Sequence, residues 1–275
     1  MNGRAVAAWS AACLLAILLT TNPGYRSLVL LAALAAVLAG AGWARTRRVL
    51  AGLALAVLSA MVINFAFSHL GADAAWSLPD SWPLVGGPWT VEALLFGIAS
   101  GLAIAAAVLA MAPLSLLLQP HEVVDALPAP LARTGAAMAA ALNLVPTLAR
   151  SFTAISEAQR MRGWRPRGPG SWGEVVVPAV LTAIEDSIQL AEAMEARGFG
   201  SGPRTRYRPP AWSRADWLLV GAAAASAALL VAARALGWAA DWQPYPFFRW
   251  PQVTALGVAA CLPLFLPVWL WRSQR

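Results

Sequence analysis

Lysine is absent from this chain of 275 residues, and with it any Gly-x-x-x-x-Gly-Lys-Ser/Thr loop for cradling nucleotide phosphates. Cysteine is scarce: Cys13 and Cys261 both lie in apolar stretches, with no Cys-x-x-Cys or Cys/His cluster near either. That excludes a disulfide framework, a redox pair and a cysteine metal site, and each thiol reads as a small hydrophobe. Only 12% of residues are charged, against 59% hydrophobic and a mean hydropathy of +0.62. Such a balance leaves too little polar surface for an ordinary soluble domain. Glu157, Glu185, Asp186, Glu192 and Glu195 could suggest acid-base work, but no nucleophile or metal ligand converges on them. They read as a solvated or intersubunit helix face, and no catalytic residue, metal site or cofactor is assigned.

What the chain does have is long apolar runs. A bilayer-crossing helix needs roughly 20 mostly apolar residues, and such stretches fall near 5–20, 27–44, 49–68, 92–118, 215–236 and 252–271. The expected fold class is all-α, a polytopic helical membrane protein with about six transmembrane helices. A single Arg and no acid precede the first stretch, and no small-residue cleavage site follows Leu19, so that stretch is read as a retained span.

All 20 basic residues are arginine, and their positions say more than the net charge of +7. Arginine concentrates on the cytoplasmic side of membrane proteins. Arg45, Arg47 and Arg48 lie between the second and third spans, eleven more lie between 119 and 214, and Arg272 and Arg275 end the chain. Residues 69–90 carry none, and residues 237–251 carry only Arg249. Both termini and the central segment are therefore expected inside the cell. The lipid bilayer is the expected neighbour and nucleic acid is not. His69 and His121 then fall on opposite sides of the membrane, which excludes a shared metal ion, and each reads as an interfacial polar residue.

The central segment divides the chain into 1–118, 119–214 and 215–275. It opens with Gln119, Pro120 and the loop 127–131, and residues 131–163 then carry good helix formers. Leu142, Val145, Ala149, Phe152 and Ser156 recur at helical steps, with Arg150, Thr153, Glu157 and Arg160 on another face. This amphipathic helix is expected to kink near Pro146 and to stop at Gly163. After the Pro- and Gly-rich loop 164–170, Ser171 and Glu174 suggest a capping box opening a second helix. Its apolar stripe runs through Val177, Leu181, Ile184, Ile188 and Ala191, and it ends at Gly198. A broken, basic linker follows over 200–210.

The two helices end alike: Glu157-Ala158-Gln-Arg-Met161-Arg162-Gly163-Trp164 and Glu192-Ala193-Met-Glu-Ala196-Arg197-Gly198-Phe199. Arg-Gly by itself is a good helix terminator. Termination alone does not explain why the upstream Glu-Ala and the downstream aromatic also repeat. A tetratricopeptide array has a similar period, but there is no third copy and no large-small packing pattern.

These endings, with Ala193-Met-Glu-Ala196 before the second, Pro146 in Leu-Val-Pro-Thr, and Arg204-Thr-Arg-Tyr207 after it, resemble the T component of energy-coupling-factor (ECF) transporters. That family includes the membrane subunit of cobalt uptake systems. The likeness is sharpest over residues 140–207 and elsewhere rests on hydropathy. The first triplet departs from Ala-Arg-Gly by having Met161. The resemblance implies that 119–214 is a cytoplasmic coupling-helix region. It implies two cytoplasmic ABC ATPase subunits and a substrate-binding membrane S component as partners. It also implies uptake of a vitamin or transition-metal ion, with ATP hydrolysis in the partners and none in this chain. Met161, Arg162 and Gly163 would meet one ATPase and Ala196, Arg197 and Gly198 the other, supported by Glu157, Ala158, Glu192 and Ala193. An Arg can make a forked contact with acidic groups in a groove, and Gly lets the backbone turn away. The competing readings are an ABC permease that binds its own solute, against which two Arg-Gly ends in one chain argue, and a non-transport membrane scaffold.

Remaining features read structurally. Asn64 and Ser59 suggest helix-helix hydrogen bonds, and Gly97-x-x-x-Gly101 suggests close internal packing. Tryptophans at 43, 76, 82, 89, 212, 217, 238, 242, 250, 269 and 271 read as interfacial anchors.

Overall fold

A computed structural model describes residues 2–68, 70–79, 86–118, 122, 132–199, 201, 212–237 and 241–272. His69, His121, Asp80, Trp82, Trp238, Gln119, Pro120, Arg275, the loop 127–131, Arg204–Tyr207 and most of the linker 200–210 lie outside the described residues. The elements in chain order are α1 (Gly3–Leu19), α2 (Pro23–Ala41), α3 (Trp43–Phe67), β1 (Ala74–Leu78), β2 (Gly87–Thr90), α4 (Val91–Leu116), α5 (Ala132–Met161), α6 (Gly173–Ala196), α7 (Arg214–Ala235), α8 (Ala255–Cys261) and α9 (Leu266–Arg272). Among the described residues the protein is all-α apart from the two-stranded antiparallel β1–β2 ribbon, in which Trp76 lies opposite Trp89. The chain forms two compact units, one of residues 1–126 with 211–275 and the other of residues 127–210.

In the first unit, short polar side chains start the helices. Asn2 accepts from the Arg4 N–H, Asn22 from Gly24, Thr90 from Ala93 and Thr254 from Gly257. Each supplies an acceptor that the first turn lacks. Ser213 and Asp216 form a reciprocal capping box at the start of α7, and the buried Asp216 also accepts the Asn2 N–H at 2.9 Å.

Between the caps, alanine dominates the contact faces. Ala5, Trp9, Cys13 and Ala16 of α1 meet Ala32, Ala33 and Ala36 of α2 and Ala106 and Ala110 of α4 in one core, all inaccessible to solvent. Small residues let helix backbones approach closely where lipid offers no hydrophobic drive. The first apolar stretch is thus a central element of the unit.

Among the described residues, five helices are long and apolar enough to cross a membrane by length and composition. Four of them, α2, α3, α4 and α7, coincide with expected spans. Two further expected spans are shorter or broken. The first is the 17-residue α1, and the second, Ala255–Trp271, is interrupted by a 3-10 turn at Leu262–Phe265. Pro263 and Pro267 lack the N–H donors that a continuous helix needs there. The Trp9 indole and the Ser226 hydroxyl donate to the Leu264 and Ala260 carbonyls in that stretch. The fifth long helix, Ala137–Met161, belongs to the second unit and has the lowest mean hydropathy of the five, 1.2.

Gly97 and Gly101 do mark an internal contact. A Cβ on Gly97 would stand 3.0 Å from the Met61 Cα and 3.2 Å from its carbonyl oxygen, and one on Gly101 would stand 3.2 Å from the Val57 Cα. Asn64 and Ser59 are a correction: both donate within α3 itself, to the carbonyls of Ala60 and Ala56. In a helix, a short side chain reaches its own preceding turn before it reaches a neighbour. Trp242 and Trp271 are a second correction. Both are buried, Trp242 donating to the Arg249 carbonyl and Trp271 meeting Trp9 edge to face.

Gly257 supports a direct test. A Cβ there would lie 2.5 Å from the Tyr25 ring, which is buried and whose hydroxyl accepts the Thr254 N–H and shares a hydrogen bond with the Thr254 hydroxyl. Gly257→Ala is expected to cost about 1–3 kcal/mol by overpacking. Gly52→Ala, with open space around its Cβ, should cost nothing comparable. Thermal unfolding of the two variants in detergent checks this, and equal midpoints would contradict the packing.

Candidate functional site: a hairpin with two arginine ends

The second unit is a helical hairpin. Residues 139–147 of α5 face 186–199, residues 148–153 face 176–191, and the Gln159 side chain donates to the Glu174 carbonyl. Pairing runs in opposite senses along the two helices, so they are antiparallel. The Arg162 and Arg197 ends therefore lie at opposite ends of α6, whose 24 residues span about 36 Å.

Both ends close the same way. The Gly163 N–H bonds the Arg160 carbonyl at 3.0 Å and the Trp164 N–H bonds Gln159 at 2.9 Å; the Gly198 N–H bonds Glu195 at 2.9 Å and the Phe199 N–H bonds Met194 at 2.9 Å. This is the Schellman pattern, with glycine at positive φ, 88° at Gly163 and 71° at Gly198. Arginine occupies the C-cap in each, where a cation meets the negative end of the helix. Two parts of the repeated sequence thus have a structural cause: the glycine supplies the left-handed turn, and the aromatic residue's N–H is the outer capping donor. Glu157-Ala158, Glu192-Ala193 and the arginine side chains are not used in that pattern.

Arg162 and Arg197 are exposed, and among the described residues neither has an ion-pair partner. Met161 is 84% exposed beside Arg162, while Ala196 is exposed beside Arg197. Gly163 and Gly198 are exposed, as are Glu157, Glu192 and Ala193, with Ala158 half-buried.

The loop between the helices is pinned. Trp164 is buried, its indole donates to the Ser171 carbonyl at 2.8 Å, and it meets Trp172 edge to face, while Phe152 stacks on Trp172. Here the expected capping box is corrected. The Ser171 hydroxyl donates to the Gly168 carbonyl and accepts from the Arg167 N–H, and α6 starts at Gly173 after a 3-10 turn. These two bonds engage the Ser171 hydroxyl within the loop, away from the helix start.

The apolar stripe of α6 is not what seals the hairpin. Val175 and Ala179 are buried, whereas Val177, Leu181, Ile184 and Ile188 are each more than half exposed. Leu148, Phe152, Val180 and Ile184 line an open groove of about 880 Å³ along the hairpin. Periodicity identified the apolar face correctly but not what covers it.

The fold and site define a class: a polytopic helical membrane protein that carries an antiparallel hairpin with an arginine at each end and an uncovered apolar face. The cobalt transport protein family, CbiQ, matches residues 1–207, and the chain belongs to that family. The match includes both arginine ends.

The chain is also similar to energy-coupling factor transporter transmembrane proteins, EcfT. It is 35% identical over 142 residues to that of Thermanaerovibrio acidaminovorans, covering 45% of this chain and 53% of the relative. With the protein of Lacticaseibacillus paracasei it shares 36% identity over 103 residues, covering 34% and 39%. For Bacillus subtilis the figures are 34% over 105 residues, covering 36% and 40%. The matched stretch is thus about half or less of each relative's length. The chain is a multi-pass cell-membrane protein of a transport family.

Proposed function

We propose that this chain is the energy-coupling T component of an ECF-type importer. It would join two cytoplasmic ABC ATPases to a substrate-binding membrane S component for uptake of a vitamin or transition-metal ion. The observation that carries this reading is the pair of identically capped helix ends, each presenting an exposed arginine without an ion-pair partner among the described residues, at opposite ends of one hairpin. Two docking points separated by about the length of α6 suit two subunits better than one.

In this reading the second unit and both termini are cytoplasmic, so α5 lies outside the bilayer despite its length. Arg133, Arg150 and Arg160 along that helix support the placement. Each arginine enters an acidic groove on its ATPase. Closure of the ATPase pair on binding ATP then shifts the two helices relative to each other. The apolar groove along the hairpin passes that motion to the S component, since an uncovered apolar helix face suits a docking partner. ATP hydrolysis resides in the partners.

The test is the composition of the complex purified from native membranes without crosslinking. Two ATPase chains and one small hydrophobic membrane protein are expected to accompany the chain. A lone chain that binds solute would replace this reading with a permease.

A further inference from the structure

The first turns of α3 concentrate positive charge that the rest of the first unit does not neutralise. Arg45, Arg47 and Arg48 are all exposed, and among the described residues none has an ion-pair partner. By contrast, the Arg26 guanidinium donates to the Thr20 carbonyl and Arg234 pairs with Asp241. No carboxylate is placed to answer the three. α3 packs against α2, which has no acid, and against α4, whose single acid is Glu92 in its first turn. Gly97 meets Met61 and Gly101 meets Val57, so α3 and α4 run antiparallel and Glu92 lies at the far end from the arginines. Toward the start of α1, Asp216 is buried and engaged by Asn2 and Ser213, and Glu122 lies with its carbonyl against Gly3.

A second feature lies one turn further along the outward face. Arg48, Gly52, Leu55, Ser59 and Val62 follow one another at helical steps, and all are exposed. A Cβ on Gly52 would meet nothing within 4 Å, whereas one on Gly24, Gly40, Gly97, Gly101 or Gly257 would meet another part of the chain at 3.0 Å or less. Glycine inside a helix costs stability relative to alanine, and no contact within the chain requires it at 52. It leaves a notch in an apolar face about 6 Å into the span from Arg48. That is the separation between a phospholipid's phosphate and the start of its acyl chains. Trp43, one turn back from Arg47, is 66% exposed, as suits an amphipathic ring at headgroup level.

We infer that the start of α3 binds an anionic phospholipid. Arg48, with Arg45 and Arg47 on either side of it around the helix, meets the headgroup phosphate, and an acyl chain lies in the notch at Gly52 and along Leu55. Guanidiniums at a helix end attract the anionic lipids of the adjacent leaflet. An acidic protein surface would also match the arginines but would have no use for a notch one turn inside the span. The inference needs α3 to cross the bilayer and is independent of the ATPases.

The test uses the full chain in detergent, stripped of lipid and incubated with equal amounts of phosphatidylglycerol and phosphatidylcholine, with retained lipid counted by native mass spectrometry. The unaltered chain should retain phosphatidylglycerol over phosphatidylcholine by about tenfold or more. Arg47→Ala with Arg48→Ala should lower phosphatidylglycerol retention by about fivefold or more, whereas Arg47→Lys with Arg48→Lys should keep it within about twofold, since an ammonium also binds phosphate. Gly52→Leu keeps every arginine and should still lower retention by about threefold or more, by filling the notch. Gly221→Leu, equally open but with Trp217 in place of an arginine one turn back, should not. All these positions are exposed, so size-exclusion profiles should not change.

Equal retention of the two lipids by the unaltered chain, or retention unchanged in the Arg47/Arg48 alanine variant or in Gly52→Leu, would overturn the inference. Displacement of phosphatidylglycerol by inorganic phosphate would overturn it too, by showing an anion site indifferent to the lipid. So would an Arg47/Arg48 alanine variant that loses copurifying ATPase while keeping its lipid, which would assign the arginines to a protein partner.

Discussion

Arg197→Glu is expected to lower the ATPase recovered with this protein by about 30-fold or more, and combining it with Arg162→Glu should leave none. Reversing a guanidinium that enters an acidic groove removes a charge-assisted contact and leaves partner carboxylates unpaired, at a cost of about 2–5 kcal/mol. At 1.4 kcal/mol per tenfold, that is roughly 30-fold to several thousand-fold in affinity. Each single loss also removes the avidity gained from holding the ATPase pair at two points. Arg197→Lys should fall between, because an ammonium keeps the charge but not the planar fork. Folding should be unaffected, since Arg197 is exposed and without an ion-pair partner in its own chain among the described residues. Affinity capture with an unchanged size-exclusion profile checks both halves of this expectation. Full ATPase recovery from the double variant would contradict it.

The second large effect concerns the membrane unit. Gly97→Leu with Gly101→Leu is expected to unseat α3. The obstacles are the Cα and carbonyl atoms of Met61 and Val57, at 3.0–3.2 Å from where a Cβ would stand, and backbone does not rotate away. Overpacking costs about 1–3 kcal/mol at each site. Of the α3 side chains only Thr46 and Leu53 are fully buried, with Val49, Leu50 and Val57 partly buried against the core, so the close approach to α4 is a main part of what holds the helix. The unfolding midpoint in detergent should fall by roughly 5 °C or more. Gly221→Leu, in open space, should leave it unchanged. A double variant that melts with the wild type would show that α3 and α4 do not approach this closely.

Several of these features could be read directly in the sequence, and the reasons are local. The α5 and α6 ends were visible because Gly163 and Gly198 satisfy a backbone demand that few other residues meet, and arginine suits the terminus that precedes them. Long apolar helices announce themselves by composition. The aromatic residues were harder. Trp164 and Phe199 occupy one capping position, yet one is buried beneath Trp172 and Ser171 and the other is exposed. That difference depends on a loop whose path no short-range rule fixes.

Ser171 had the right spacing for a cap, but its hydroxyl is engaged by Gly168 and Arg167. The working capping box is Ser213 with Asp216, where Asp stands in place of the usual Glu or Gln at the third helical position. Trp242 and Trp271 have the composition of interfacial anchors and lie in the interior, a matter of tertiary packing alone.

The most direct measurement places a photoreactive benzoylphenylalanine at Met161 and, separately, at Ala196, the exposed neighbours of the two arginines. Irradiation of intact native membranes should give, at each position, one adduct whose added mass is that of an ABC ATPase subunit. Adducts only with lipid, or none at either position, would contradict the central claim that these two ends hold the ATPases.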